Sequence, residues 1–198
     1  MGKISNYHRG NLREDLLKAA FELLDQEGIE AVGIRQIARM VGVAHSAPAN
    51  HFNNKQALFT ALAAETFTRV VEVIEAKLQQ DAGDLRGSIH HFSETILSFG
   101  LKYPNRYLLM WRKDCVDNED PVLHSALESI YQQLTTILQK YAKTQTVDVE
   151  SQAIAIWSLI HGYVSLRIDS NLESGRDEVT GIERQRAIID VIVDGLSN

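Results

Sequence analysis

The spacing of the apolar residues constrains the fold of this chain more than any other feature. Apolar side chains recur at steps of three and four residues along most of the 198 residues, which places them on one face of an α-helix. The chain has only 3 prolines, and Pro104 and Pro121 stand where new helices are predicted to begin. Alternating apolar runs joined by Asn-Gly or Asp-Gly turns, the mark of β-hairpins, are missing. The sequence therefore predicts an all-α fold of about nine helices.

Breaks in this periodicity predict where the helices begin and end. Gly28 and Gly42 follow the first two periodic segments and can adopt the left-handed conformation that ends a helix. A polar stretch at 173–180 is predicted to be a loop. The predicted helices cover residues 12–26, 34–41, 45–51, 55–79, 85–102, 105–115, 121–143, 149–171 and 181–196. We expect two domains, residues 1–55 and 56–198.

Composition limits the class of protein. Hydrophobic residues make up 44% of the chain and charged residues 23%, which is typical of a globular protein. The one cysteine cannot form an internal disulfide, and the polar N-terminus does not resemble a signal peptide, so we expect a cytoplasmic protein. No segment approaches the roughly 18 uninterrupted apolar residues of a membrane span. The net charge of −6 taken alone argues against a nucleic-acid partner.

Catalytic and metal-binding motifs are not apparent in the sequence. Cys115 lies near Asp114 and Asp117, whose negative charges make it a poor nucleophile. His90 and His91 are adjacent and would point about 100° apart on a helix, a poor geometry for binding one metal ion. We find no Gly-rich phosphate loop and no Cys-x-x-Cys pair. We therefore predict no enzymatic activity, no metal site and no cofactor.

Residues 33–52 have the pattern of a helix-turn-helix. Two short helical segments are separated by Gly42-Val43, and Gly42 permits the tight turn between them. Val43 and Phe52 are predicted to anchor the second segment in the core. Small and polar side chains then remain on its outer surface, as entry into a DNA major groove requires. These outward residues are His45, Ser46, Ala47, Ala49 and Asn50.

From about residue 11 to residue 62 the chain resembles the tetracycline-repressor (TetR) family. The matching residues are Ala19-Ala20, Gly28, Ile37-Ala38, Gly42-Val43, His51-Phe52, Lys55 and Leu58. The resemblance implies a TetR-like fold. In that fold a three-helix DNA-binding domain with the helix-turn-helix precedes a larger helical domain that dimerises and binds an effector.

The resemblance also implies roles for individual residues in DNA binding. Arg35 matches a family position that reaches DNA, Lys55 one that meets the phosphate backbone, and His51 one that contacts the backbone or packs beneath it. Where family members commonly hold a tyrosine two residues before this histidine, the chain has Ala49. Arg35 could instead be a solvated surface charge, and His51 a packed histidine. The predicted DNA-binding residues are Arg35, Ala44, His45, Ser46, Ala47, Ala49, Asn50, His51 and Lys55.

The C-terminal part contains a Trp-x-x-x-His-Gly element formed by Trp157, His161 and Gly162. Trp157 and His161 are four residues apart and therefore share one helix face. The element resembles a TetR subgroup that carries this pattern. An effector pocket is predicted at Phe92, Phe99, Tyr107, Trp111, Trp157 and His161, although helical cores also use aromatic residues routinely. A homodimer interface is predicted at Ile160, Val164, Ile168, Ile188, Val191 and Ile192.

The distribution of charged residues along the chain shows that the net charge of −6 does not exclude a nucleic-acid partner. Residues 1–60 hold 7 basic and 6 acidic side chains, and residues 31–60 hold three basic side chains and no acidic one. The remainder carries 13 basic and 20 acidic side chains. The resemblance to the TetR family then implies a regulator, a repressor by family default, that binds a palindromic operator in double-stranded DNA as a homodimer and is released by a small-molecule effector. The alternative is an all-α dimeric interaction or ligand-sensing protein that has lost specific DNA binding.

Overall fold

The structure is a computed structural model that describes residues 11–80, 83–141 and 148–197. The predicted helical residues 142–143 lie outside these ranges. The described residues form eight α-helices, and the prediction of an all-α fold is confirmed. The helices are α1 Leu12–Glu27, α2 Ile34–Val41, α3 Lys55–Gln80, α4 Leu85–Lys102, α5 Pro104–Met110, α6 Pro121–Tyr141, α7 Val149–Ile168 and α8 Arg184–Ser197.

Four of the predicted helices are shorter than expected. The helix predicted over 149–171 ends at Ile168, and the one predicted over 181–196 begins at Arg184. The segment predicted as a helix over 45–51 contains only a 3-10 turn, Ala47–Asn50, in which the His51 N–H donates to the Pro48 carbonyl three residues back at 2.9 Å. The helix predicted over 105–115 ends at Met110. Beyond it Arg112 Nε donates to Asp114 Oδ1 at 2.8 Å. The backbone also changes to bonds between residues three apart, with the Trp111 N–H donating to the Leu108 carbonyl at 3.2 Å and the Arg112 N–H to the Leu109 carbonyl at 3.1 Å.

The chain divides into two compact units. The first contains residues 11–66 and 105–124, and the second contains the described parts of 67–104 and 125–197. The division therefore falls inside α3, whereas the predicted domains divide at its first residue. The first unit also takes in residues that are distant from the helix-turn-helix along the chain.

The first unit has a core built from its apolar helix faces. Leu16, Leu24, Ile37 and Leu58 are fully buried, and burial of each such side chain stabilises the fold by roughly 1.5–3 kcal/mol. At the end of α2, Gly42 has φ 78° and ψ 30°, in the left-handed region. The Val43 N–H then donates to the Ala38 carbonyl at 3.0 Å and closes the helix end. The predicted break at Gly42 is thus present.

In the second unit α4 packs against both α7 and α8. Asp84 and Asp148 cap α4 and α7, and their carboxylates accept hydrogen bonds from the backbone N–H groups three residues on, each at 2.8 Å. Phe92 on α4 and Ile156 on α7 are completely buried. Ion pairs also join α4 to α8, because Arg86 on α4 pairs with both Asp190 and Asp194 on α8. The unit therefore combines an apolar core with ion pairs at its edge.

Candidate nucleic-acid interface and effector region

The helix-turn-helix presents residues 44–51, which we call the recognition segment, on a rigid support. Pro48 and Phe52 are buried beneath it, and the Phe52 N–H donates to the Pro48 carbonyl at 2.8 Å. The predicted outward residues all reach the surface, with Ala47 half-buried and the others exposed. The exposed members are Ala44, His45, Ser46, Ala49, Asn50 and His51. Because most of these side chains are small, another molecule can approach the backbone of the segment closely.

Cationic side chains surround the recognition segment. Arg35 and Arg39 are exposed on α2, and Lys55 is exposed at the first residue of α3. Lys55 Nζ lies 5.0 Å from the centre of the Phe59 ring, a cation–π contact that restricts the position of the ammonium group. Asn54 Oδ1 accepts a hydrogen bond from the Ala57 N–H at 2.8 Å and caps α3. The positive end of the α3 dipole therefore adds to the charge of Lys55.

The sequence reasoning missed Arg13 as a member of this surface. The guanidinium carbon of Arg13 lies 5.6 Å from the centre of the Phe52 ring, directly after the recognition segment. Arg13 is exposed in the first turn of α1, which also contains Glu14 and Asp15. Its contact with Phe52 joins residues far apart in the sequence, so apolar spacing did not indicate it.

The predicted effector residues take part in three pairs of aromatic rings. In the second unit the Phe92 and Trp157 rings lie 6.1 Å apart between centroids, and His161 follows one turn after Trp157. Phe99 contacts Tyr103 at 5.5 Å between ring centroids. In the first unit Tyr107 and Trp111 form an edge-on pair at 6.0 Å. Burial raises the pKa of the Tyr107 hydroxyl, which therefore stays uncharged.

A groove between α3 and α6 in the second unit was not predicted. Its volume is about 610 Å³, within the range of small-molecule sites. The groove combines amide, hydroxyl and carboxylate groups with two apolar side chains. The residues lining it are Glu75, Leu78, Gln79, Ser129, Gln132, Gln133, Thr136 and Ile137. Polar residues on a helix face resemble a solvated surface in the sequence, which explains why the groove was missed.

The partly buried His161 gives the stability of the protein a dependence on pH. Burial lowers the pKa of its imidazole below the usual value of 6.5. The folded chain then binds fewer protons than the unfolded chain, so the free energy of unfolding falls as the pH drops through the unfolded-state pKa. We expect His161→Gln to lose less stability than the wild type between about pH 7.5 and about pH 5.5 in urea unfolding. His124→Gln, at an exposed histidine of α6, is the control, and equal slopes for wild type and His161→Gln would contradict this role.

The predicted dimer residues do not all reach the surface. Ile160 and Val164 are 1% and 0% exposed and pack inside the second unit, so they offer no side-chain surface to a partner. Ile168, Ile188 and Ile192 are half-buried, and Val191 is 73% exposed. On the opposite face of α7, Ile154 and Leu166 are 53% and 47% exposed. The exposed apolar side chains therefore include the predicted Val191 on α8, whereas on α7 they are Ile154 and Leu166 rather than Ile160 and Val164.

Cys115 is poorly suited to nucleophilic chemistry. Burial raises the pKa of its thiol, while the nearby Arg112 partly opposes this shift and Asp114 adds to it. The direction agrees with the sequence prediction, but burial rather than the acidic neighbours is the main cause. Within the described ranges no three His, Cys, Asp or Glu side chains are grouped so that they could hold a metal ion. In the same ranges no helix is both long and apolar enough to cross a bilayer.

An exposed recognition segment with surrounding cations and no acidic neighbour between residues 31 and 60 is typical of a helix-turn-helix DNA-binding protein. Residues 16–62 match the family described as bacterial regulatory proteins, tetR family. Residues 89–187 match the tetracyclin repressor-like, C-terminal domain. The chain belongs to the TetR family of bacterial regulators, whose members regulate transcription rather than catalyse reactions.

Individual proteins support this assignment. The transcriptional repressor AcnR of Corynebacterium diphtheriae is 32% identical over 74 residues, which cover 37% of this chain and 39% of AcnR. The class D tetracycline repressor of Escherichia coli is 39% identical over 57 residues, 29% of this chain and 26% of that protein. The chain thus spans well under two thirds of either. A solved structure of a Rhodococcus sp. RHA1 protein with unknown function has a TM-score of 0.83 at 26% identity and covers 98% of this chain and 100% of that one.

Proposed function

We propose that this protein is a transcriptional repressor that binds a palindromic DNA operator as a homodimer and releases it when a small-molecule effector binds. The observation that carries the proposal is the recognition segment, which is exposed, free of carboxylates and flanked by Arg13, Arg35 and Lys55. Two such segments, one per protomer, would read half-sites one DNA turn apart, roughly 34–36 Å. A protein with this function acts in the bacterial cytoplasm, where the DNA is located.

The effector acts in this proposal by shifting a conformational equilibrium. A small molecule that binds one conformer more tightly favours that conformer, and DNA affinity falls if its half-site spacing does not match the operator. By linkage, bound DNA lowers effector affinity by the same factor. The Phe92–Trp157 pair with His161 and the groove between α3 and α6 are the two effector sites we propose. An effector that binds the folded protein raises its melting temperature. Loss of this rise in Trp157→Ala, with the rise kept in Gln132→Ala, would place the effector at the aromatic pair. Loss of the rise in Gln132→Ala alone would place it in the groove.

Binding to DNA is tested directly with fluorescently labelled duplexes. We expect the full chain to bind DNA that flanks its own gene at least about 1,000-fold more tightly than random DNA at the same salt concentration. An affinity equal to that for random DNA would favour the alternative, a dimeric ligand-sensing protein without operator binding. Ala49, which stands where the family commonly has a tyrosine, is the observation that favours this alternative.

Lys55 is expected to contact a DNA phosphate in each protomer. Lys55→Ala should therefore weaken binding to specific and random DNA alike, because phosphate contacts are independent of sequence. The slope of log K against log salt should decrease by about two units for the dimer, about one per lost phosphate contact. Lys140→Ala, at an exposed residue of α6, is the control for the loss of one positive charge. Equal slopes for Lys55→Ala and wild type would contradict the phosphate role.

We also propose that α7 supplies the centre of the homodimer interface. Residues 151–166 contain no Asp, Glu, Lys or Arg, although charged residues make up 23% of the chain. One face of this helix is buried in the second unit, and the other exposes Ile154 and Leu166. The same uncharged face of a second copy meets it without charge repulsion in a two-fold arrangement. Gly162 is half-buried, and a Cβ added there meets nothing within 4 Å among the described residues. On this element we propose that the chain belongs to the Trp-x-x-x-His-Gly subgroup.

A further inference from the structure

Residues 105–117, which we call the brace segment, join two helices of the DNA-binding unit. The beginning of the segment contacts the last turns of α1, and its end contacts the first turns of α3. The segment and the parts of α1 and α3 that it contacts belong to the first compact unit, although residue 105 lies 25 residues after the end of α3 and 78 after the end of α1. Its contacts on each side are specific and directional.

Arg106 makes the contact with α1. Its Nε and Nη2 donate to Asp25 Oδ1 and Oδ2 at 2.8 and 2.6 Å, which is a bidentate ion pair. The guanidinium carbon also lies 4.3 Å from the centre of the Phe21 ring. The Arg106 side chain is only 16% exposed and the Asp25 side chain 29%. Planar pairing, ring stacking and partial burial make this contact stronger than an ordinary surface salt bridge.

The other end of the brace segment holds the first two turns of α3. Gln56 Nε2 donates to the Val116 carbonyl at 3.1 Å, and the Asp117 N–H donates to Thr60 Oγ1 at 2.8 Å. Thr60 Oγ1 in turn donates to the Gln56 carbonyl at 2.8 Å, and Thr60 is only 4% exposed. These bonds lie directly after Lys55, so they fix the part of α3 that carries this cation.

We propose that the brace segment positions α1 relative to α3 for DNA binding, with Arg106 as the main positioning residue. The two helices carry Arg13 and Lys55, the cations next to the recognition segment, and the brace fixes the spacing between them. This inference rests on the proposed DNA-binding function. Arg106 itself lies outside the recognition segment and makes no DNA contact in this account.

Positioning and direct contact have different consequences for DNA affinity. Specific binding requires the base contacts and both phosphate contacts at once, so it depends on the spacing of the groups that make them. Non-specific binding comes from phosphate charge alone and tolerates a change in spacing. Loss of a positioning residue therefore lowers the ratio of specific to non-specific affinity, whereas loss of a phosphate contact lowers both affinities together.

The test compares Arg106→Ala with wild type in the full chain. We expect affinity for the DNA flanking the gene to fall about tenfold, with affinity for random DNA unchanged. Amide hydrogen exchange should become faster in the second half of α1 and the first turns of α3. Arg176→Ala is the matched control, because Arg176 also pairs with a carboxylate, that of Glu183, but lies in the second unit. It removes the same charge and should change neither measurement.

Asp25→Asn provides a second variant that keeps the side-chain shape while weakening the same pair, and it should act in the same direction as Arg106→Ala. An unchanged ratio of specific to random affinity in both variants overturns the proposal. An equal loss on both DNAs overturns it as well, since that result indicates a phosphate contact. If wild type itself shows no sequence preference, the proposed function fails. The amide hydrogen-exchange rates of Arg106→Ala and wild type then test the positioning role of the brace segment by themselves. Unchanged rates in α1 and α3 would contradict that role.

Discussion

Gly162→Leu is expected to convert the proposed homodimer into a monomer. A Cβ added at Gly162 meets nothing within 4 Å among the residues that the structure describes, so a leucine fits the isolated protomer. Replacing a helical glycine also favours α7 by several tenths of a kcal/mol up to about 1 kcal/mol. In the dimer the same leucine intrudes on the partner's α7 twice, once from each copy. Each of the two intrusions should destabilise the dimer by about 1–3 kcal/mol, so the dissociation constant of the dimer should rise by at least about 30-fold.

Molar mass from light scattering across a dilution series measures this change. The control is Ala76→Leu, at an exposed small residue of α3, which should leave the mass at twice that of one chain. The melting temperature of wild type should depend on protein concentration, and that of Gly162→Leu should not. A Gly162→Leu protein that stays dimeric and melts at a higher temperature would show that Gly162 faces solvent, and the assignment of α7 to the interface would then be wrong.

Ala49→Glu is expected to abolish specific DNA binding while leaving the fold intact. Ala49 is exposed in the middle of the recognition segment, so a larger side chain there disturbs no core contact. A carboxylate at this position would approach the DNA phosphates. Like charges brought together in an interface cost several kcal/mol, so affinity should fall at least about 100-fold.

Anisotropy titrations at one salt concentration measure this loss, and thermal unfolding checks the fold. Ala76→Glu introduces the same charge at an exposed alanine outside the DNA-binding surface and should reduce affinity much less. Ala49→Glu with wild-type affinity would mean that residues 44–51 do not face DNA. In that case the alternative function, a dimeric protein without operator binding, gains support.

Helix ends were predictable where a local signal exists. Gly42 ends α2, and α4 covers the predicted range from Leu85 to Lys102, because a glycine, a capping aspartate and a following proline act on their immediate neighbours. The early end of α5 at Met110 has no such signal, because neither a glycine nor a proline stands in the five residues after it.

The exposure of the recognition segment was also predictable, because the helix-turn-helix repeats a fixed pattern of buried and exposed positions. The faces of α7 were not, and Ile160 and Val164 show why. This helix is apolar nearly all round, so its spacing does not distinguish the face that meets α4 from the face left exposed. The contact between Arg106 and Asp25 was equally inaccessible, because it joins residues 81 positions apart.

Hydroxyl-radical footprinting on DNA flanking the protein's own gene tests the central claim most directly. The account predicts two protected half-sites in a palindrome, one DNA turn or roughly 34–36 Å apart, with protection lost in Ala49→Glu and retained in Ala76→Glu. Uniform weak protection, with no boundary between operator and flanking sequence and no difference between these two variants, would contradict sequence-specific repression by this protein.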